Sequence, residues 1–303
     1  MNITQLAAID IGSNSIRLLI SNVIKSNKEV HFKKISLTRL PVRLGSDSFT
    51  KQKISKKTER KIIAGMMAFK YLMEVHEVSI YRACATSAMR DATNGPKIIQ
   101  DIHQKTGIHV EIISGQEEAR LIKNNEFITK LLQREPNILY IDVGGGSTEL
   151  SLIQKGLLTA SASFNIGTVR LLNGLVSDSD WYSIKDWIKQ NTSHIKDLAM
   201  VGSGGNINRL FKLSGKPQGV PLTLEYLEST FDYLQKFSRQ ELILKLDLNP
   251  DRADVILHAC RIYLSVMRWA GAELMYVPKL GLADGIVREL YHTLTHSSPP
   301  SRK

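Results

Sequence analysis

Ile9-Asp10-Ile11-Gly12-Ser13-Asn14-Ser15 and Ile141-Asp142-Val143-Gly144-Gly145-Gly146-Ser147 are near copies of one heptapeptide, separated by a constant offset along the 303-residue chain. In both copies an apolar run predicts a strand, and the glycine with its small polar neighbours predicts a tight turn. Apolar residues at 16–20 and 149–153 then predict the returning strand of a hairpin. Because one copy opens each half of the chain, the repeat indicates an internal duplication.

The segments that follow each hairpin strengthen the duplication. In the first half, the pattern predicts a helix over 59–75, strands over 79–85 and 110–113, and a helix from Gly115. Residues 83–87, Ala-Cys-Ala-Thr-Ser, end a strand before a helix, and residues 200–206, Met-Val-Gly-Ser-Gly-Gly-Asn, do the same in the second half. The sequence therefore predicts an α/β protein with two similar halves, whose hairpins face each other across a ligand-binding cleft.

The net charge is +11 and the sequence pI is about 9.5, which points to a polyanionic partner. Residues 25–61 hold twelve basic side chains against three acidic ones, so most of the excess lies in one segment. Two interpretations stay open: a solvated face that keeps the protein soluble, or a rim that attracts phosphates. Because only Phe32 and Phe49 lie among these charges, a phosphate polymer without bases fits at least as well as nucleic acid.

Several compositional features indicate a cytoplasmic protein without a membrane segment. The sequence has no apolar run of about 18 residues and no signal peptide at its start. Cys84 and Cys260 are too few for a disulfide framework and stand at no zinc spacing. The phosphate loop GxxxxGK[ST], the nucleophile elbow GxSxG and the dinucleotide fingerprint GxGxxG are missing, which leaves a serine nucleophile or a dinucleotide cofactor unsupported.

Four segments carry residues suited to phosphate chemistry. Gly144, Gly145, Gly146 and Ser147 offer backbone N–H groups to phosphate oxygens, although a plain glycine-rich turn has the same composition. Gly204 and Gly205 precede a predicted helix, whose first N–H groups favour an anion. Arg90 has the fork geometry that suits phosphate, and an ion pair with Asp91 is an equal alternative. Glu117 and Glu118 begin a helix, where acids are common for dipole reasons, and they point about 100° apart.

Taken together, these segments resemble the exopolyphosphatase / guanosine pentaphosphate phosphohydrolase (Ppx/GppA) family of the actin-like phosphotransferase superfamily. The matching segments occur in family order and are 8–15 (AIDIGSNS), 85–90 (ATSAMR), 112–121 (IISGQEEARL), 141–150 (IDVGGGSTEL) and 202–205 (GSGG). The pairing of SGxEEARL with DxGGGSxEL is far more specific than a single glycine loop.

The resemblance implies two ribonuclease-H-like domains of the actin-like ATPase superfamily, over 1–123 and 124–303, with the last helix, about 284–296, packing back on the first. It also implies release of a terminal phosphate with the help of Mg²⁺ or Mn²⁺. By motif position, Glu118 is the general base that activates water. The other implied roles are phosphate binding by Arg90, Ser13, Asn14, Gly144–Ser147, Gly204 and Gly205, and metal binding by Asp142 and Glu149.

The substrate expected first is inorganic polyphosphate, and the alternative is guanosine pentaphosphate (pppGpp). Two other hypotheses stay open: a polyphosphate or nucleotide sensor without catalysis, and an ATP-dependent sugar or acetate kinase on the same fold. We further expect a homodimer, with no nucleic-acid partner.

Overall fold

The computed structural model describes residues 2–26, 29–123, 126–278 and 281–296. The first two of these segments, which end at residue 123, form β1 (Asn2–Ile11), β2 (Ile16–Ser26), β3 (Glu29–Leu40), α1 (Leu44–Lys51), α2 (Lys56–Val75), β4 (Ile80–Ala85), α3 (Ser87–Asp91), α4 (Gly95–Thr106), β5 (Glu111–Ile112) and α5 (Gly115–Lys123).

The remaining segments form α6 (Glu126–Leu131), β6 (Asn137–Val143), β7 (Thr148–Gln154), β8 (Leu157–Phe164), α7 (Thr168–Leu172), α8 (Asp178–Thr192), β9 (Leu198–Ser203), α9 (Gly205–Leu213), β10 (Leu222–Thr223), α10 (Leu224–Gln235), α11 (Arg239–Leu244), α12 (Pro250–Ala253), α13 (Ile256–Ala270), β11 (Leu274–Tyr276) and α14 (Leu282–His296).

The chain forms two compact units, one of Met1–Asn125 with Leu282–Lys303 and the other of Glu126–Gly281. The C-terminal helix α14 contacts β1, β2, β4 and α5, and it therefore groups with the N-terminal unit. The domain boundary predicted after residue 123 lies at the edge of the described residues and stays a prediction.

The first unit is built on a five-stranded sheet with the order β3-β2-β1-β4-β5. β2 pairs antiparallel with both β1 and β3, whereas β4 pairs parallel with β1 and β5 pairs parallel with β4. The predicted hairpin pairs Ile11 with Ile16, and the aspartate before it, Asp10, lies opposite Arg17. Helix α2 begins at its N-cap Ser55, which accepts a hydrogen bond from the Thr58 N–H, slightly before the predicted start.

The sheet of the second unit repeats this topology. Its order is β10-β11-β9-β6-β7-β8, with β6, β7 and β8 antiparallel and β9 parallel to β6. Reading β6, β7, β8, β9 and β11 for β1, β2, β3, β4 and β5 reproduces the order of the first sheet. The structure thus confirms two ribonuclease-H-like domains of the actin-like ATPase fold and supports the duplication inferred from the heptapeptides.

The core of the second unit lies between its sheet and α13, a helix with apolar residues on most of its surface. Ile262, Tyr263, Val266 and Met267 of this helix are buried, as are Leu139 and Ile141 on β6. Burying such side chains contributes about 1.5–3 kcal/mol each. The core therefore fixes the strand ends that carry the glycine segments. In the described segments, no helix combines the length and apolar character needed to cross a bilayer.

Candidate functional site

The two hairpin turns have the same hydrogen bond. The Gly12 N–H donates to the Ser15 carbonyl over 3.1 Å, and the Gly144 N–H donates to the Ser147 carbonyl over 2.9 Å. Both loops are therefore four-residue turns closed in the same way, and the duplication extends to the backbone of the candidate phosphate loops.

Each loop is also anchored from outside by the segment that follows the third strand of its sheet. In the first unit, the Gly45 N–H donates to the Ser13 carbonyl over 2.8 Å, and in the second the Val169 N–H donates to the Gly145 carbonyl over 2.8 Å. Gly167 lies so close that an added Cβ would meet the Gly145 carbonyl oxygen at 2.4 Å. Only glycine fits there, and the glycine loop consequently has a rigid backing.

The carbonyls of the glycine loop are thus used inside the protein, whereas two of its N–H groups stay available. Within the described residues, the N–H groups of Gly145 and Gly146 have no protein acceptor. Successive N–H groups on a backbone without side chains form a concave anion site. The loop can therefore bind phosphate oxygens as the sequence indicated.

A polar row crosses the second sheet at the base of this loop. The strand register places Ser163, Glu149, Asp142 and Ser203 side by side on β8, β7, β6 and β9. Asp142 and Glu149 are buried, with 8% and 2% of their surfaces exposed. The Ser163 hydroxyl donates to Oε1 of Glu149 over 2.9 Å. Two acids that face each other across neighbouring strands concentrate negative charge and attract a cation.

The donor chemistry of this pair fits Mg²⁺ better than a softer metal. Carboxylate oxygens are its preferred protein ligands, and Mg²⁺ commonly takes one or two of them together with water and substrate phosphates. Among the described residues, no group of three or more His, Cys, Asp or Glu side chains is placed to hold a metal. Asp142 and Glu149 are therefore the residues that would hold Mg²⁺, which would supply positive charge beside the glycine loop.

Gly204 allows the start of α9 to lie close to Asp142. Its φ of +118° lies in a region that only glycine readily adopts. An added Cβ would lie 3.1 Å from the Val143 carbonyl oxygen and 3.3 Å from Oδ1 of Asp142. The first N–H groups of α9, from Gly205 onward, thus begin beside the carboxylate of Asp142. The second predicted anion site and the glycine loop are brought together in one unit.

Tyr263 supports this junction from the core. Its hydroxyl donates a hydrogen bond to the Ser203 carbonyl, at the end of β9. Burial, together with the nearby Asp142 carboxylate, raises the pKa of the Tyr263 phenol well above its usual value. The phenol therefore stays protonated and remains a hydrogen-bond donor at the base of the site.

The row in the first unit carries a different charge pattern. Asp10 is buried, and its Oδ2 lies 3.1 Å from Nη1 of Arg17, the residue opposite it. Burial raises the pKa of Asp10, and the Arg17 guanidinium opposes that shift. The duplicated position thus holds an internal cation, Arg17, in the first unit and the acid Glu149 in the second.

The polar residues predicted on the first unit converge around its hairpin loop. The hydroxyls of Ser13 and Ser87 lie 2.9 Å apart and share a hydrogen bond. Arg90 follows on α3, and its Nη1 donates to the Ile113 carbonyl over 2.8 Å, just before α5. The same loop holds Asn14, whose carbonyl accepts from the Arg43 N–H over 3.0 Å. Arg90 is thus held near the helix that carries Glu118.

The adjacent acids Glu117 and Glu118 are in different environments. Glu117 accepts two hydrogen bonds from Arg120, at 2.7 and 2.9 Å, and these hold its pKa below the usual value. Glu118 is half-buried, and its Oε2 atom is shielded from solvent. The two side chains therefore have different surroundings, as their 100° separation around the helix predicts.

Three residues near these sites were not identified from the sequence. Arg17 could have been found, because it holds the place of Glu149 when the two heptapeptides are extended. Ser163 and Arg170 gave no local signal, since their partners are distant in the chain. Nε of Arg170 donates to the Gly146 carbonyl over 2.8 Å, which places a guanidinium at the glycine loop.

Comparisons with known proteins agree on one family. The Ppx/GppA phosphatase family matches residues 23–294. The bifunctional 3-dehydroquinate synthase/phosphatase of Fusobacterium nucleatum is 28% identical over 93% of this chain, which spans only 46% of that protein. Exopolyphosphatase 1 of Mycobacterium tuberculosis is 23% identical over 93% of this chain and 87% of that protein.

A pyrophosphatase and a solved structure complete the comparison. The guanosine-5'-triphosphate,3'-diphosphate pyrophosphatase of Aeromonas hydrophila is 23% identical over 93% of this chain and 58% of that protein. The crystal structure of an exopolyphosphatase from Cytophaga hutchinsonii shares the fold, with a TM-score of 0.81, 22% identity, and coverage of 97% and 99% of the two chains. Because the family match extends over most of its residues, the chain belongs to the Ppx/GppA phosphatase family, whose members are named as hydrolases of phosphoanhydride bonds.

Proposed function

We propose that this chain is an exopolyphosphatase, which removes the terminal phosphate of inorganic polyphosphate with the help of Mg²⁺. The observation that supports it most is the buried pair of Asp142 and Glu149 beside the open N–H groups of the glycine loop. That combination provides anion binding and cation binding at one place, which is what transfer of a phosphoryl group needs.

In the proposed reaction, the N–H groups of Gly145 and Gly146 and the start of α9 bind oxygens of the terminal phosphoryl group. Arg90, on the first unit, is assigned a phosphate contact as well, because its guanidinium fork suits phosphate oxygens. Asp142 and Glu149 would hold Mg²⁺, which supplies neutralisation of the phosphate charge when bound. Positioning and charge neutralisation of this kind account for most of the catalysis in phosphoryl transfer.

Glu118 is assigned the remaining step, which is to accept a proton from the attacking water. The water oxygen forms a bond to the terminal phosphorus, and the bridging P–O bond breaks. The electrons of that bond stay on the shortened chain, so the products are orthophosphate and a polyphosphate with one fewer unit. A positioned carboxylate contributes about 10²–10⁴-fold to such a step.

The charged surface of the first unit favours polyphosphate over pppGpp. Lys51, Lys53, Lys56 and Lys57 are exposed on and between α1 and α2. Helix α1 begins where the Gly45 N–H binds the hairpin carbonyl of Ser13. A basic surface that leads to a phosphate loop, with few aromatic rings to stack a base, suits a chain of phosphates.

The test is phosphate release from polyphosphate of defined lengths and from pppGpp, with and without Mg²⁺. We expect Mg²⁺-dependent release that is faster from polyphosphate. Glu118→Gln should lose roughly 10²–10⁴-fold in kcat while it binds polyphosphate as the wild type does.

Each alternative has its own result. Faster release from pppGpp would make the chain a pppGpp phosphohydrolase, and tight binding without release by the wild type would make it a sensor. Formation of ADP from ATP only when a sugar or acetate is added would point to a kinase. Wild-type rates in Glu118→Gln would remove that residue from the role of base.

A further inference from the structure

Ion pairs tie α5 directly to α14 and β4, and Arg82 of β4 extends this network to β5. Arg120, on α5 itself, reaches Oε2 of Glu289 on α14 with its Nη2 at 2.7 Å. Arg82, on β4, reaches Oε1 of Glu289 at 3.1 Å, Oε2 of Glu111 on β5 at 2.9 Å and Oε1 of Glu117 at 3.4 Å. We call these five residues the α5 clamp.

The central ion pair of the α5 clamp is shielded enough from solvent to restrain the helices that it joins. The side chains of Arg82 and Glu289 are only 19% and 23% exposed, so water and salt screen their contact less than that of a surface pair. Bonds between a carboxylate and the planar fork of an arginine are also directional. Because Glu289 binds both arginines, it links α14 to β4 and α5 together.

The α5 clamp contacts the same part of α5 that carries Glu118. Glu117 and Arg120 lie one turn apart on the same face, and Glu118 lies about 100° further round. The Ser114 hydroxyl accepts from the Glu117 N–H over 3.1 Å, and the preceding Ile113 carbonyl binds Arg90. A rotation of α5 about its axis would therefore break contacts of the α5 clamp and turn the Glu118 carboxylate at the same time.

We propose that Glu289 and Arg82 are positioning residues for Glu118, which hold α5 at the rotation that aims this carboxylate. The proposal rests on the proposed function, in which Glu118 is the base. Neither residue contacts the reacting atoms in this assignment. Their effect falls on the proton-transfer step, where a displacement of about 1 Å can cost up to 10²-fold in rate.

The test compares Glu289→Gln with Glu228→Gln. Glu228 forms a surface ion pair of 2.8 Å with Arg268, between α10 and α13 of the other unit, and it provides a matched loss of one carboxylate. We expect Glu289→Gln to lower kcat for polyphosphate about tenfold with an unchanged KM. Hydrogen exchange of the backbone amides over residues 113–121 should also become faster, and Glu228→Gln should change neither quantity.

The inference is overturned if Glu289→Gln keeps kcat within twofold of the wild type, if its amide exchange over 113–121 is unchanged, or if Glu228→Gln loses as much activity. If Glu289→Gln does not fold, Glu289→Asp keeps the charge and shortens the reach, and the same comparison applies to it. An inactive wild type would contradict the proposed function instead, and amide exchange would still test the α5 clamp.

Discussion

The residue opposite the strand-end aspartate differs between the two hairpins. Arg17 faces Asp10 in the first unit, and Glu149 faces Asp142 in the second. The first hairpin therefore carries a guanidinium at this position, whereas the second carries a second carboxylate. A duplicated fold has in this way two related loops with different electrostatics, and Mg²⁺ binding is expected only at the second.

This assignment predicts how Mg²⁺ affinity responds to single substitutions. Glu149→Gln should weaken Mg²⁺ binding by more than tenfold, because one of two anionic ligands becomes neutral. Ser163→Ala, which removes only the 2.9 Å bond to Oε1 of Glu149, should cost about tenfold. Isothermal titration with Mg²⁺ in the absence of substrate measures the affinity of each variant. The control is Ser161→Ala, because Ser161 lies two residues before Ser163 on β8 and its side chain points to the same face of the sheet. An unchanged affinity in Glu149→Gln would place the metal elsewhere.

The secondary structure around the two loops was predictable to different degrees. Both hairpins follow from their glycine turns and apolar flanks, because local sequence determines a turn of four residues. The third strand of each sheet, β3 and β8, was not predicted, since its exposed residues weaken the alternation that indicates a strand. The α5 clamp could not be predicted either, because Arg82 and Glu289 are 207 positions apart and only the tertiary fold brings them together.

At the level of elements, the junction of β9 and α9 depends on Gly204. Gly204→Ala should destabilise the protein by about 1–3 kcal/mol through backbone strain alone, and the added Cβ would press on the Asp142 carboxylate. Denaturant unfolding should show the loss, and Mg²⁺ titration should show a weaker site. Gly174→Ala is the control: its φ is +66° with open space around it, so we expect a cost of about 1 kcal/mol and normal Mg²⁺ binding. Equal effects of the two substitutions on Mg²⁺ affinity would contradict the role of Gly204.

Across the whole molecule, the positive charge is concentrated rather than spread. Nine of the eleven net positive charges belong to residues 25–61, which supply β3, α1 and the start of α2. Some of these side chains have acidic partners: Lys51 lies 3.7 Å from Asp47, and Lys56 lies 2.9 Å from Glu59. Lys53 and Lys57 are exposed and have no ion pair within the described residues, so their field acts on the surroundings. Substituting these two lysines therefore tests most directly whether the basic segment attracts the substrate.

The combined substitution Lys53→Ala and Lys57→Ala should lower kcat/KM for polyphosphate by roughly twofold or more at low ionic strength, because fewer charges draw the polyanion in. The difference from the wild type should shrink as salt rises and the screening length falls below about 10 Å. Lys189→Ala with Lys236→Ala is the matched control, since these lysines are exposed on the other unit and their removal changes the net charge equally. Phosphate-release rates over a range of NaCl concentrations give the comparison. If both double variants show the same salt dependence, position is irrelevant and the basic segment serves solubility alone.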